Sequence, residues 1–246
     1  MPTTYAGSEM TPIYGLTECG VKKTGRDGKV RPRTVIYDPL LTLSLPPTIA
    51  GPSGMNAIAH CVEALYAPDA NPIASLMAEE GVRALASSLP IVVREPGNVE
   101  TRSDALYGAW LAGASLGAVT MGLHHKLCHV LGGAFNLPHA ETHTIVLPHA
   151  AAYNAAAAPR AMIRVAAALG VAEAPTGLYE FSERIGAPLA LRALGLVEAE
   201  LDHATDLAIA SAYPNPAPIA RDTIRALLQA AWEGRPPTGA PIAEMQ

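Results

Sequence analysis

After Leu45-Pro46-Pro47 the chain changes period and does not change back. Upstream, Thr3, Thr4, Thr11, Thr17 and Thr24 are scattered among glycines. The group Gly25-Arg26-Asp27-Gly28 separates two short segments as a hairpin turn would, and Thr34-Val35-Ile36-Tyr37, ended by Asp38-Pro39, is a compact β-branched and aromatic run that predicts a strand. Downstream the apolar residues recur at helical spacing. Ser53 is placed to cap a helix through Tyr66, and Asn71-Pro72, a cap followed by a proline at the first helical position, opens one to about Ser88. Further helices fit near 100–120, 122–134, 138–157, 159–169, 175–185, 197–212 and 218–233. The expected fold is mainly α: a β-rich segment over 1–47, a helical domain over 48–234 and a loose tail over 235–246. A few strands with no βαβ unit to complete a sheet lead us to expect that a preceding piece is missing.

Composition narrows the function classes. Of 246 residues, half are hydrophobic and 16% charged, enough for a sizeable core. A net charge of −5 gives no basic footprint for nucleic acid. The N-terminal MPTTYAGSEM lacks a signal-peptide pattern, and no apolar stretch of roughly 18 residues runs unbroken, so no membrane span is expected. The three cysteines, Cys19, Cys61 and Cys128, form no disulfide-type pattern and suit a reduced, cytoplasmic setting.

Seven of the eight histidines lie between residues 60 and 149. His125 and His129 are four apart and share a helical face; His139 and His143 repeat the spacing, as do Asn56 and His60. Three short helical faces thus offer ligand-capable pairs that, converging, build a metal or proton-transfer site. A single histidine on an apolar helix is ordinarily a satisfied core residue, but burying several imidazoles costs free energy unless each finds a partner. His149 and His203 read as structural or surface residues, and His124 as pointing away from the His125/His129 face.

These residues also carry a resemblance. Pro2-Thr3-Thr4-Tyr5-Ala6-Gly7-Ser8-Glu9, Tyr37-Asp38-Pro39, Ser53-Gly54-Met55-Asn56-Ala57-Ile58-Ala59-His60, His125 through His129, Leu131-Gly132-Gly133, Asn136-Leu137-Pro138-His139, Leu147-Pro148-His149 and Tyr153-Asn154 are, in that order, similar to the iron-containing alcohol dehydrogenase superfamily. The resemblance implies the helical C-terminal domain of that fold, with 1–47 a remnant of its α/β cofactor domain. It places a divalent metal at an aspartate and three histidines, here Asn56, His60, His125 and His139. The neutral amide of Asn56 is a poorer ligand for a hard ion than a carboxylate, and no bound metal is expected.

Asn56 with His125-Lys126-Leu127-Cys128-His129 resembles the maleylacetate reductase branch, which takes hydride from NADH or NADPH to a carbon–carbon double bond of a small dicarboxylate. The resemblance implies His60, His125, His129 and His139 as catalytic residues, Lys126 and Asn56 as substrate contacts, Thr3, Thr4, Ser8 and Glu9 along the cofactor cleft, and a homodimer. A metal-dependent alcohol dehydrogenase and an inactive helical domain remain alternatives. No glycine-rich pyrophosphate loop occurs in the sequence, so the chain alone is expected to bind NAD(P)H poorly.

Overall fold

The computed structural model describes residues 1–18 and 21–237. Among them the only strands are β1 (Ile13–Glu18) and β2 (Val21–Arg26), an antiparallel pair. Gly25 lies opposite Tyr14, whose ring covers it; a Cβ there would come within 2.5 Å of the ring. The expected turn at 25–28 is therefore wrong: Gly25 and Arg26 belong to β2. Cys19 lies outside the described residues. Asp27 instead caps a short 3-10 turn by accepting the Lys29 N–H. The expected strand at Thr34–Tyr37 is also absent. That stretch finds no ladder partner and is held by Tyr37, whose hydroxyl donates to Glu9 at 2.8 Å.

Nine α-helices follow among the described residues: α1 (Pro47–Tyr66), α2 (Pro72–Arg94), α3 (Val99–Ala118), α4 (Leu123–Ala134), α5 (His139–Asn154), α6 (Pro159–Leu169), α7 (Ala174–Arg184), α8 (Leu201–Ile209) and α9 (Arg221–Glu233). Pro47 occupies the first position of α1. Ser53 is not its cap; it lies inside α1, buried, and accepts the Tyr5 N–H at 2.9 Å. Asn71 does cap α2 through Ala74 N–H, but α2 runs on through Pro90 to Arg94. Residues 159–184, apolar and long enough in sum to cross a membrane, are two helices broken at Gly170 (φ 71°), and both pack on the core. Of the expected tail over 235–246, residues 238–246 lie outside the described residues.

Two apolar cores explain where a site can form. One gathers Met55, Ile58 and Val62 of α1 with α2, α3, α6 and α7; the other gathers Leu127 and Leu131 of α4 with α8 and α9. Helix α5 belongs to both, giving Leu147 and Ala151 to the first and Ile145, Val146 and Ala150 to the second. Polar groups on α1, α4 and the first turns of α5 are thereby brought to the seam between the cores.

The N-terminal segment is fastened to this frame. Gly7 (φ 75°) rests against Gly113 of α3 so closely that a Cβ on Gly113 would meet the Gly7 carbonyl oxygen at 2.2 Å. Arg102, fully buried, donates to Pro96 O at 2.7 Å, to Leu45 O and the Tyr5 hydroxyl at 3.2 Å, and to Thr42 O. This guanidinium has carbonyls and a hydroxyl as partners in place of a carboxylate. Arg102→Leu strands several of these acceptors at once and should lower stability by about 3 kcal/mol or more. Urea unfolding checks this, and a loss under about 1 kcal/mol would contradict it.

Candidate active site

Helix α1 presents Asn56, His60 and Glu63 at positions four and three residues apart, on one face. All three are buried. His60 Nδ1 lies 2.8 Å from His125 Nε2 of α4, and His60 Nε2 lies 3.1 Å from the Ala6 carbonyl oxygen. His125 Nδ1 meets Glu63 Oε2 at 2.5 Å. The partners fix the hydrogens. A carbonyl oxygen only accepts, so His60 carries its proton on Nε2 and turns a lone pair on Nδ1 toward His125. Glu63 takes Nδ1–H of His125, whose Nε2–H then fills the His60 lone pair. Burial and the neighbouring His125 hold the His60 pKa well below 6.5, in keeping with a neutral ring. Burial alone would raise Glu63, but the His125 hydrogen bond and charge, with help from His124 and Gly122, bring it down to about 2.

His143 of α5 sits at the centre, its ring 5.0 Å from His125, 4.3 Å from His139 and 4.8 Å from His124. His124 does not point away from the cluster, as expected from the helical wheel; it is fully buried and its Nε2 lies 2.9 Å from His143 Nδ1. Burial foremost, then the His125 charge, lowers His124 to about 3, and burial likewise keeps His143 well below its ordinary range. His129 and His139 are exposed at the rim, their rings nearly parallel at 6.4 Å. His125, with His143 between it and His139, joins the buried pair to that rim. His149, expected to be structural, is buried, and His203 is exposed.

Of the other expected site residues, Thr3 and Ser8 are exposed, Thr4 and Glu9 half-buried, and Ala6 between them makes the bond to His60. The hydroxyls of Thr3 and Ser8 form no hydrogen bond among the described residues, so donors stand free for a polar ligand beside His60. Asn56 Oδ1 is buried without a partner among the described residues. The Lys126 ammonium donates to Ser211 at 3.0 Å and lies 6.0 Å from the Tyr213 ring, on the α8 side of the cluster. Sequence reasoning passed over Glu63 and underrated His143. The signal for Glu63 was its place three residues after His60 and seven after Asn56 on one helical face.

The donor set fits a divalent metal poorly. Two nitrogens tetrahedrally bound to one ion stand about 3.4 Å apart, whereas those of His60 and His125 are hydrogen-bonded at 2.8 Å, and the fourth position is an uncharged amide. His124, Cys128 and His143 also approach one another closely enough for an ion. Ligating imidazoles, however, hand their second N–H to an acceptor, and the remaining nitrogens of His124 and His143 are buried without one among the described residues. Burial keeps the Cys128 thiol protonated. We therefore read this trio as a hydrogen-bonded imidazole pair beside a thiol.

Residues 50–232 match the C-terminal profile of the Fe-containing alcohol dehydrogenase family. The chain belongs to that family. A maleylacetate reductase from Burkholderia cepacia is 60% identical over 97% of this chain, which spans 68% of that relative. The crystal structure of maleylacetate reductase from Rhizobium sp. strain MTP-10005 superposes with a TM-score of 0.92 at 55% identity, over 96% of this chain and 67% of its own. That of the Agrobacterium tumefaciens maleylacetate reductase gives 0.93 at 55% identity, with the same two coverages. Within the family, a mainly helical fold of this kind is the C-terminal part.

Proposed function

We propose that this chain carries the catalytic helical domain of a maleylacetate reductase, an oxidoreductase that moves hydride from NADH or NADPH to the carbon–carbon double bond of maleylacetate and yields 3-oxoadipate in the breakdown of aromatic compounds. Residues 1–47 are then the edge of the cofactor domain and 48–234 the catalytic unit. The observation that carries this is the hydrogen-bonded His60–His125 pair one turn from the neutral Asn56, where an alcohol dehydrogenase would want a carboxylate and a Lewis acid. High identity to enzymes of that name supports it.

When bound, the nicotinamide supplies hydride. Hydride addition to the carbon β to the ketone pushes the electron pair onto the ketone oxygen as an enolate. The His129 imidazole at the rim meets that charge, with the His60–His125 pair, whose own N–H groups are taken by Ala6, Glu63 and His60, stabilising it from behind through the field of its dipoles. A rim histidine, His129 or His139, returns a proton to the carbon α to the ketone, so one hydride and one proton add across the double bond. Thr3, Thr4, Ser8 and Glu9 line the cofactor side, and Asn56 faces the substrate side. The Lys126 ammonium leaves Ser211 to pair with a substrate carboxylate. No metal takes part. A cytoplasmic setting, supported by the free buried thiols of Cys61 and Cys128, and a homodimer complete the proposal.

The test is nicotinamide oxidation by this chain joined to the third of the Burkholderia cepacia relative that it does not span. Maleylacetate should be reduced, and ethanol and 1,3-propanediol barely oxidised. Lys126→Ala should raise KM for maleylacetate more than it lowers kcat, since a contact remote from the reacting carbons is largely uniform binding. Alcohol oxidation without maleylacetate turnover would move the assignment to an alcohol dehydrogenase.

A further inference from the structure

Helix α4 begins without a cap of its own. Its N-cap residue is Gly122, which has no side chain to accept the first N–H groups. The acceptor comes from another helix. Glu63 of α1 takes the N–H of His124 at 2.9 Å on one oxygen and those of Gly122 at 3.1 Å and His125 at 3.4 Å on the other. The second oxygen also takes His125 Nδ1–H at 2.5 Å, and the Tyr66 hydroxyl donates weakly to the first at 3.4 Å. Taking a carboxylate out of water costs several kcal/mol unless its lone pairs are filled. Here they are filled by the backbone of the helix that carries His125 and by the His125 ring itself. The start of α4 and the orientation of that ring are therefore set by one group.

We propose that Glu63 is a positioning residue for the reaction: it never touches substrate, and it holds the His125 ring so that Nε2 faces His60. Glu63 is 1% exposed and so has no access to the cleft. With the carboxylate in place, the His125 ring cannot flip without breaking the 2.5 Å bond. Without it, Nδ1 has no acceptor among the described residues, and the ring is free to change angle. A carboxylate that served α4 only as a cap would have no need of the Nδ1 contact. The inference rests on the proposed reductase reaction for its kinetic consequence, but not for its structural one.

Both are measured on Glu63→Gln, which keeps the size of the side chain and one acceptor oxygen. In the chain labelled with nitrogen-15 histidine, the buried His125 Nδ1–H gives a slowly exchanging, far-downfield proton signal. Glu63→Gln should remove or strongly shift it, leaving the signals of the exposed His129 and His139 in place. In the joined enzyme kcat should fall roughly 10- to 100-fold, the usual cost of losing an outer partner of a site histidine, with KM little changed. Tyr66→Phe, which removes a Glu63 partner but spares the Nδ1 bond, should keep both the signal and kcat. An unshifted His125 signal, or unchanged kcat per folded molecule in Glu63→Gln, overturns the proposal. Should Glu63→Gln fail to fold, Glu63→Asp decides by the same two readouts, its shorter side chain drawing the charge away from Nδ1. If no variant reduces maleylacetate and neither does the parent, the reaction assignment fails, while the proton signal still decides the role of Glu63.

Discussion

Acidification is expected to unfold this chain between about pH 6 and pH 4, well above the range in which carboxylates alone would act. The cause is the number of imidazoles buried in neutral form. His124 is lowered to about 3 and His149 to about 4 from an ordinary 6.5, and His60 and His143 are held well below it, all chiefly by burial. In the unfolded chain all four take a proton near 6.5; in the folded chain they do not. Below 6.5 the unfolded state thus binds more protons, and stability falls as pH falls until the folded values are reached. Each such histidine costs about 1.4 kcal/mol per pH unit. Four together remove about 5 kcal/mol per unit, comparable to the whole stability of a domain. Glu63, lowered from 4.5 to about 2, adds to the loss only below about 4.5. Urea midpoints measured at half-unit steps check this. A midpoint that does not move from pH 7 to pH 5 would show that these rings are not buried as neutral groups.

Replacing either member of the hydrogen-bonded pair should have the largest effect on turnover. His60→Gln and His125→Gln are each expected to lower kcat for maleylacetate by about 10²- to 10⁴-fold, the range for removing a proton-transfer or charge-stabilising group. The double variant should be little worse than the slower single one, because the pair acts as a unit through the 2.8 Å contact. Lys126→Ala, by contrast, acts on KM. Rate measurements at saturating maleylacetate separate the two. Additive losses in the double variant would mean that the rings work independently.

The helical part was legible because its signals are local. The Asn71-Pro72 start of α2 and the 3.6-residue spacing need no tertiary knowledge, and most helix ends fell within a few residues, although α1 begins well before Ser53 and α2 ends well after Ser88. The N-terminal segment was misread because its structure depends on what it lies against. Gly25 looked like a turn, but it is a small residue opposite Tyr14, and the β-branched run at 34–37 has no neighbouring strand to pair with. Of the site, the spacing of Asn56, His60, His125 and His129 located the helical faces. Which faces meet is decided by α5 lying between two cores, and no single-sequence pattern reports that. The same reason hid His124, whose position on the helical wheel seemed wrong until the neighbouring His143 was in place. Glu63 was overlooked for another reason. A lone acidic residue on a helix is ordinarily solvated, and only the uncapped start of α4 makes its burial favourable.

On the proposed reading this family member works through its imidazoles, where the family is named for iron. The joined enzyme, stripped of divalent ions by exhaustive chelation and verified metal-free by elemental analysis, should be assayed for NADH oxidation with maleylacetate before and after addition of zinc or ferrous iron. Full turnover is expected in the stripped enzyme, with no gain on adding either ion. Loss of turnover on stripping, restored by one equivalent of metal per chain, would contradict it.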